Sequence, residues 1–342
     1  MAVMSAAAAP TSTARVLPLL RQAAIKEDLL RPAGARGLIH VAGMVGAWAA
    51  LVSIGFIADS ILVWVPVWIC VAFLFVGFGG LGHDCAHGST FTSRWANSLL
   101  GHLVLGTAGV SFKVYRQYHL LHHADTLGPD DPDGPGMQFA SRAEYALFHA
   151  TLGAGFVGLT WWGALIGAFH HPPKWARTTT SKLAMRGAWF PGVLVVGAYV
   201  YGSVVSDTFR HIWLYPWLFM LVPVLAFVLV GEHYAGHAED GTLKNTYTVM
   251  SNPVTRFALY NVNFHTVHHM LPRIPGTSLR RMNELAAPYE ENTYSGYLAF
   301  HRQLLAPLPW LPPRKSLAEP PSDERGPLAD AVSSDRRSGQ LS

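Results

Sequence analysis

The chain has 342 residues, of which half are hydrophobic and only 13% charged, with eleven tryptophans and a formal net charge of +4. Several stretches approach the roughly 20 apolar residues that cross a bilayer, which excludes an ordinary soluble domain. The modest positive charge calls for no nucleic acid as partner, and two cysteines without pairing logic, Cys70 and Cys85, exclude a disulfide scaffold.

In chain order, "MAVMSAAAAPTSTARVLPLLRQ" lacks the early basic region and strong apolar core of a secretory signal. Residues 1–36 read as a cytosolic tail leading into a short helix on the membrane surface. Arg15, Arg21, Lys26, Arg31 and Arg36 precede the first apolar run, which places the N-terminus in the cytoplasm. Residues 37–58 are expected to cross outward, and 61–80 to return through a tight turn near Asp59 and Ser60. The piece "NSLLGHLVLGTAGVSF" is short and Gly-rich, and predicts a shallow or re-entrant helix. A single crossing by 145–169 would put Lys174, Arg177, Lys182 and Arg186 outside with no acid, against the positive-inside bias. Its "LGAGFVGL" centre therefore predicts a shallow hairpin or an interfacial helix pair. Residues 188–204 then cross outward and 212–231 return. The expectation is an all-α polytopic membrane protein with about four transmembrane helices. One membrane domain covers 37–312, and 313–342, mostly Pro, Ser and charge, is expected to be a disordered tail.

Seventeen histidines is a high count, and their positions are patterned. His83 and His87, at the end of the second span, are i and i+4 on one helical face. "HLLHH" supplies His119, His122 and His123, and "HTVHH" supplies His265, His268 and His269, each at i, i+3 and i+4. By the topology above, all lie on the cytoplasmic side. Imidazole suits iron, zinc and copper. Eight such rings exceed the needs of one four-coordinate zinc but suit two adjacent metal ions. "GEHYAGH" at the end of the last span adds His233 and His237 as further candidate ligands. His40, His102, His149, His211 and His301, each alone, read as interfacial or capping residues, and His170 and His171 as loop.

Around the clusters, Asp84 and Asp125 are placed to accept an imidazole N–H, or to act as solvated caps. Glu232 is a partner of the cluster or a headgroup-level charge. Asn261 and Asn263 either hydrogen-bond ligands or cap a helix. Asp130, Asp131 and Asp133 read as a turn. Trp161, Trp162, Trp213 and Trp217 read as interfacial belt residues. Arg273, Arg280 and Arg281 form a basic patch that meets anionic headgroups or docks an acidic protein.

"GHDCAHGSTFTSRWANSLLGH", "YRQYHLLHHADTLGPDDPD" and "LKNTYTVMSNPVTRFALYNVNFHTVHHMLPRIPGTSLRRMNE" resemble the membrane fatty acid desaturase superfamily, over about residues 60–285. The resemblance implies a bundle of transmembrane helices capped by a cytosolic helical layer that holds two irons. It implies as ligands His83, His87, His119, His122, His123, His265, His268 and His269, with one or both of His233 and His237. The first box has three intervening residues and the third begins with His265, unlike acyl-CoA and front-end desaturases respectively. No fused heme-binding His-Pro-Gly-Gly motif occurs. The expected activity is O2-dependent di-iron oxidation of a lipid C–H bond, as a fatty acyl desaturase. A lipid or carotenoid hydroxylase or ketolase is the alternative within that chemistry. The expected partners are a bilayer lipid or acyl substrate and a separate electron donor of ferredoxin, rubredoxin or cytochrome b5 type. A metal transporter, the reading from another class, would place histidines near the bilayer midplane on broken helices rather than between spans.

Overall fold

The computed structural model describes residues 12–132, 138–168 and 189–311. Helix α1 (Thr13–Lys26) leads into α2 (Ala35–Ala58) and α3 (Ile61–His87). Helices α4 (Arg94–Thr107), α5 (Phe112–Ala124), α6 (Arg142–Ala168), α7 (Trp189–Val205) and α8 (Asp207–His233) follow. The remainder is a layer of short elements. It comprises a helical turn Thr242–Asn245, β1 (Thr248–Val249), α9 (Pro253–Ala258), α10 (His265–Met270), α11 (Gly276–Ala286), β2 (Thr293–Tyr294) and α12 (Tyr297–Leu305). The two-residue strands pair in parallel, Thr248 with Thr293, a small departure from the expected all-α fold.

Helices α2, α3 and α8 are long and apolar enough to cross a membrane, and α7 is a shorter apolar helix at the lower edge of spanning length. The three long helices match expected spans, and α7 coincides with the fourth, expected at 188–204, but is shorter than they are. The predicted turn is present: Asp59 adopts a left-handed conformation that ends α2, and Ser60 precedes α3. Helix α3 runs past the expected boundary at residue 80 and carries His83 and His87 on its last turns. It stops at Gly88, whose φ of +70° suits a residue without a Cβ. Helix α8 contains two π-helical segments, Arg210–Leu214 and Met220–Val224. Pro216 and Pro223 lack an N–H, and the wider π turns accommodate the missing bonds.

The shallow hairpin expected at 145–169 is not formed. Residues 142–168 make one helix that continues through "LGAGFVGL". A Cβ at Gly153 would overlap the Leu221 carbonyl, so this glycine lets α6 approach the α8 backbone closely rather than breaking α6. The cationic loop that motivated the hairpin, with His170 and His171, lies outside the described residues, as does the tail 313–342. The belt assignment of the tryptophans also changes. Trp213 is buried, stacks on Trp217 at 5.5 Å and donates its indole N–H to the Thr107 carbonyl at 2.9 Å. Trp161 donates to the Gly109 carbonyl at 2.8 Å, so these indoles fasten α6 and α8 to the end of α4. The side chain of Trp162 lies outside the described residues.

Two of the apolar cores among the described residues position the site. One joins α2, α3, α4 and α8 around Met44, Phe75, Leu81, Leu105 and Val228. The other lies within the layer of short elements, around Phe264, Val267, Leu279 and Met282. Helix α1 belongs to this second core. Its stripe of Val16, Leu20 and Ala24, spaced four apart, is buried there, while Leu19 and Ile25 stay exposed. Burial of Val16 and Leu20 contributes roughly 1.5–3 kcal/mol each. The layer sits at the end of the bundle where α3 and α8 deliver their histidines.

Candidate metal centre

Each histidine pair or triplet reaches the centre on a different helix. His83 and His87 lie on the last turns of α3. Helix α5 brings His119, His122 and His123, and is tied to α3 by Arg116, which donates to the Ala86 carbonyl at 3.0 Å. His233 ends α8, and α10 supplies His265, His268 and His269. Their donor nitrogens fall into two groups, within each of which all lie within 4.8 Å of one another. The first group is His83, His87, His119, His123 and His268; the second is His122, His233, His265 and His269. The two touch, with His123 stacked on His269 at 4.2 Å.

The membership explains the H-x-x-H-H spacing. On α5 the i, i+4 pair, His119 and His123, enters the first group, and His122 enters the second. On α10 the pair His265 and His269 enters the second group, and His268 the first. Each short helix therefore serves both groups from two adjacent faces.

The geometry fits two metal ions. In the first group, Nε2–Nε2 separations are 2.8 Å for His83–His268 and 2.9 Å for His87–His119, His119–His123 and His123–His268. In the second they are 2.9 Å for His233–His265, 3.1 Å for His122–His233 and 3.3 Å for His122–His269. Neighbouring donors around an ion bound at about 2.1 Å stand about 3 Å apart. Hydrogen bonding among the rings does not account for these contacts. His119 Nε2 and His123 Nε2 each meet two other ring nitrogens, whereas a ring nitrogen has one N–H or one lone pair. A shared cation in each group would satisfy all of them. Burial, reinforced by the neighbouring imidazoles, holds His119, His265, His268 and His269 well below the usual imidazole pKa, so they stay in the neutral form that binds metal.

The outer ring nitrogens are held unevenly. His122 Nδ1 donates to Asp131, 3.0 Å from each carboxylate oxygen. His233 Nδ1 donates to the Asn245 carbonyl at 3.0 Å, and His269 Nδ1 lies 3.4 Å from the Thr126 hydroxyl. His268 Nδ1 is buried without a hydrogen-bond partner among the described residues.

The expected outer residues are placed as follows. Asp84 is buried and accepts the Gly276 N–H at 2.7 Å, fastening α11 to α3; its other oxygen stands 3.8 Å from His83 Nδ1. Asp125 accepts the Asp130 N–H at 2.7 Å and shapes the following turn. Glu232 lies 3.9 Å from His265 Nε2. Asn261 donates to the Gly276 carbonyl at 2.9 Å, and Asn263 to the Val249 carbonyl at 3.0 Å. Asp131, read from sequence as a turn residue, is the carboxylate that grips a ring. Its only signal was acidity shortly after a histidine box.

His237 is not brought to the centre. Helix α8 ends at His233, Tyr234 is extended and Ala235 adopts φ +54°, so the i, i+4 relation of 233 to 237 has no helix to act through. His237 is exposed and opens the 3-10 turn Ala238–Asp240. The lone histidines serve structure: His40 donates to the Phe257 carbonyl at 2.9 Å, and His301 bridges the Tyr145 hydroxyl and the Phe227 carbonyl. Of the basic patch, Arg281 pairs with Glu27 at 2.6 Å and Arg280 with Glu284 at 3.3 Å.

A cavity of about 610 Å³ runs between α3, α5, α6 and α8. Apolar side chains such as Phe75, Val110, Phe156 and Leu225 line it, and His83, His119, His233, His265 and His268 face it. This volume falls in the range of ligand sites. An apolar passage thus meets a buried set of imidazole donors.

A family model described as fatty acid desaturase matches residues 60–301. Among curated proteins, the chain is 26% identical over 271 residues to an sn-1 oleoyl-lipid 12-desaturase of Synechocystis sp., covering 68% of this chain and 74% of that one. It is 24% identical over 302 residues to an sn-1 acyl-lipid omega-3 desaturase (ferredoxin) of the same organism, covering 78% and 79%. It is 27% identical over 217 residues to a sphingolipid delta(4)-desaturase DES1-like protein of Oryza sativa, covering 62% and 61%.

Proposed function

Because the chain belongs to the fatty acid desaturase family, and so is an oxidoreductase, we propose that it desaturates an acyl chain carried by a membrane lipid, using O2 and two irons. Relatives named for acyl-lipid desaturation support that substrate class. The observation that carries the reading is the apolar cavity ending on two adjoining groups of neutral imidazoles.

The proposed ligands are the nine grouped histidines, and His237 is left out. Bound iron would supply, with O2, the power to take hydrogen from an unactivated carbon, which side-chain acids and bases lack. Zinc fits imidazole but has no redox chemistry. The balanced reaction takes two hydrogens from adjacent carbons, with O2, two electrons and two protons, giving an alkene and two waters. The electrons come from a separate donor, and the name of one relative points to a ferredoxin.

The chain's own residues bind and orient. The cavity walls exclude water and fix the run of the acyl chain past the histidines. Tyr115 stacks on His119 at 5.4 Å and 12°, and limits rotation of that ring. Gly79, one turn before His83 on α3, lines the cavity and leaves open space where a side chain would stand, so the substrate can pass close to the donor set. The basic residues ahead of α2 support a cytoplasmic face for the metal centre, because α2 and α3 form a pair that leaves and returns.

The test is mass spectrometry of total lipids from cells co-expressing the chain and a ferredoxin. Lipids lighter by two hydrogens, absent with His268→Ala, are expected. Products carrying an added oxygen would replace desaturation by hydroxylation, and an unchanged lipid profile would sink the proposal.

A further inference from the structure

We propose that Asp131 is a positioning residue for one metal of the pair, holding His122 so that its Nε2 lone pair faces the four-histidine group. The inference rests on the two-metal reading above.

The Asp131 side chain is fully buried at 0% exposure, and that of His122 is 3% exposed. Both carboxylate oxygens lie 3.0 Å from His122 Nδ1, so the ring proton sits on Nδ1 and Nε2 is left as the donor. That Nε2 stands 3.1 Å from His233 Nε2 and 3.3 Å from His269 Nε2, inside the second group.

The loop after α5 is built to deliver this carboxylate. Leu127 adopts φ +61°, a left-handed conformation unusual for leucine, and its N–H donates to Asp131 Oδ2 at 2.6 Å. Thr126 donates to the His122 carbonyl at 2.9 Å and also reaches His269 Nδ1. The chain thus doubles back over the end of α5, and Asp131 meets a ring nine positions earlier in sequence. The strained residue and the short bond from it are accounted for if the carboxylate has one place to be.

The other group is backed differently. Asp84 Oδ1 stands 3.8 Å from His83 Nδ1, beyond hydrogen-bond distance, while Oδ2 is engaged by Gly276. His268 Nδ1 has no hydrogen-bond partner among the described residues. A carboxylate behind a ligating imidazole fixes its tautomer and raises its basicity, and losing such a partner typically costs about 10–100-fold in metal affinity. The loss of Asp131 should therefore weaken one metal and spare the other.

The experiment loads the full chain in detergent with 57Fe(II) under anaerobic conditions. Iron is counted per chain during stepwise chelation, and Mössbauer spectra are recorded. Wild type is expected to hold two irons. Asp131→Asn keeps an oxygen for the Leu127 N–H and removes the charge. It should release one iron at about 10–100-fold lower chelator concentration, with one spectral component altered and the other unchanged. A role limited to the loop would leave Asp131→Asn like wild type and disturb only Asp131→Ala, which overturns the proposal. Release of both irons together from Asp131→Asn also overturns it. A wild-type chain saturating below two irons would instead refute the two-metal reading on which the proposal stands.

Discussion

His122 and His268 occupy equivalent places in their boxes, the i+3 position, yet serve different groups and have different surroundings. One is backed by a carboxylate, and the other has no hydrogen-bond partner at its outer nitrogen among the described residues. Truncation of either removes a donor from a buried set whose remaining rings cannot replace it. His122→Ala and His268→Ala should each lower product formation by about 100-fold or more, measured by gas chromatography of fatty acid methyl esters. His237→Ala should stay within about twofold of wild type, because the ring is exposed and remote from both groups. A large loss there would restore it as a ligand. At this scale spacing alone made most of the site legible, since H-x-x-H-H on a helix places three rings together whatever the tertiary fold. Spacing failed where the connection was irregular. The helix end at Tyr234 took His237 away, and the loop through Leu127 brought Asp131 in, and neither backbone path is written as a periodicity.

Helix α6 shows two uses of glycine within three residues. Gly153 meets the α8 backbone, whereas Gly155 lines the cavity with nothing within 4 Å of where a side chain would start. Gly153→Val should destabilise the protein by about 1–3 kcal/mol through overpacking, seen as a lower midpoint in thermal unfolding in detergent. Gly155→Phe should keep the wild-type midpoint and still lower turnover of long acyl chains, because it fills the passage. If both variants behaved alike, the distinction would be wrong. The sequence could not separate these glycines, and their shared presence suggested a break that the helix does not contain. In the layer of short elements, burial pushes the Glu290 carboxyl up to about 7, against the bonds donated by Thr248 and Thr293. A carboxyl raised in the fold binds its proton more tightly there than in the unfolded chain. Stability should therefore fall as pH rises from about 4.5 to about 7, and remain reduced above. Glu290→Gln should raise the unfolding midpoint at pH 8 and leave it unchanged near pH 4.

For the whole molecule, the long apolar helices α2, α3 and α8 and the shorter apolar α7 were legible from hydropathy, because lipid demands long apolar runs. The layer beneath them was less so, because its elements are short and owe their order to packing. Helix α1 is part of that layer, joined by the ion pair of Glu27 with Arg281 as well as by its apolar stripe. Deleting residues 1–26 should therefore lower iron retention as well as expression, measured as metal per purified chain. A wider consequence follows from α5 and α10 each feeding both histidine groups. One residue inserted into a helix turns everything beyond it by about 100°. A substitution in either box silences one donor of one group. An insertion or deletion within 119–123 or 265–269 instead misdirects donors of both groups at once. The two histidine groups share one helical register, so this part of the protein tolerates change in side-chain detail but not in length.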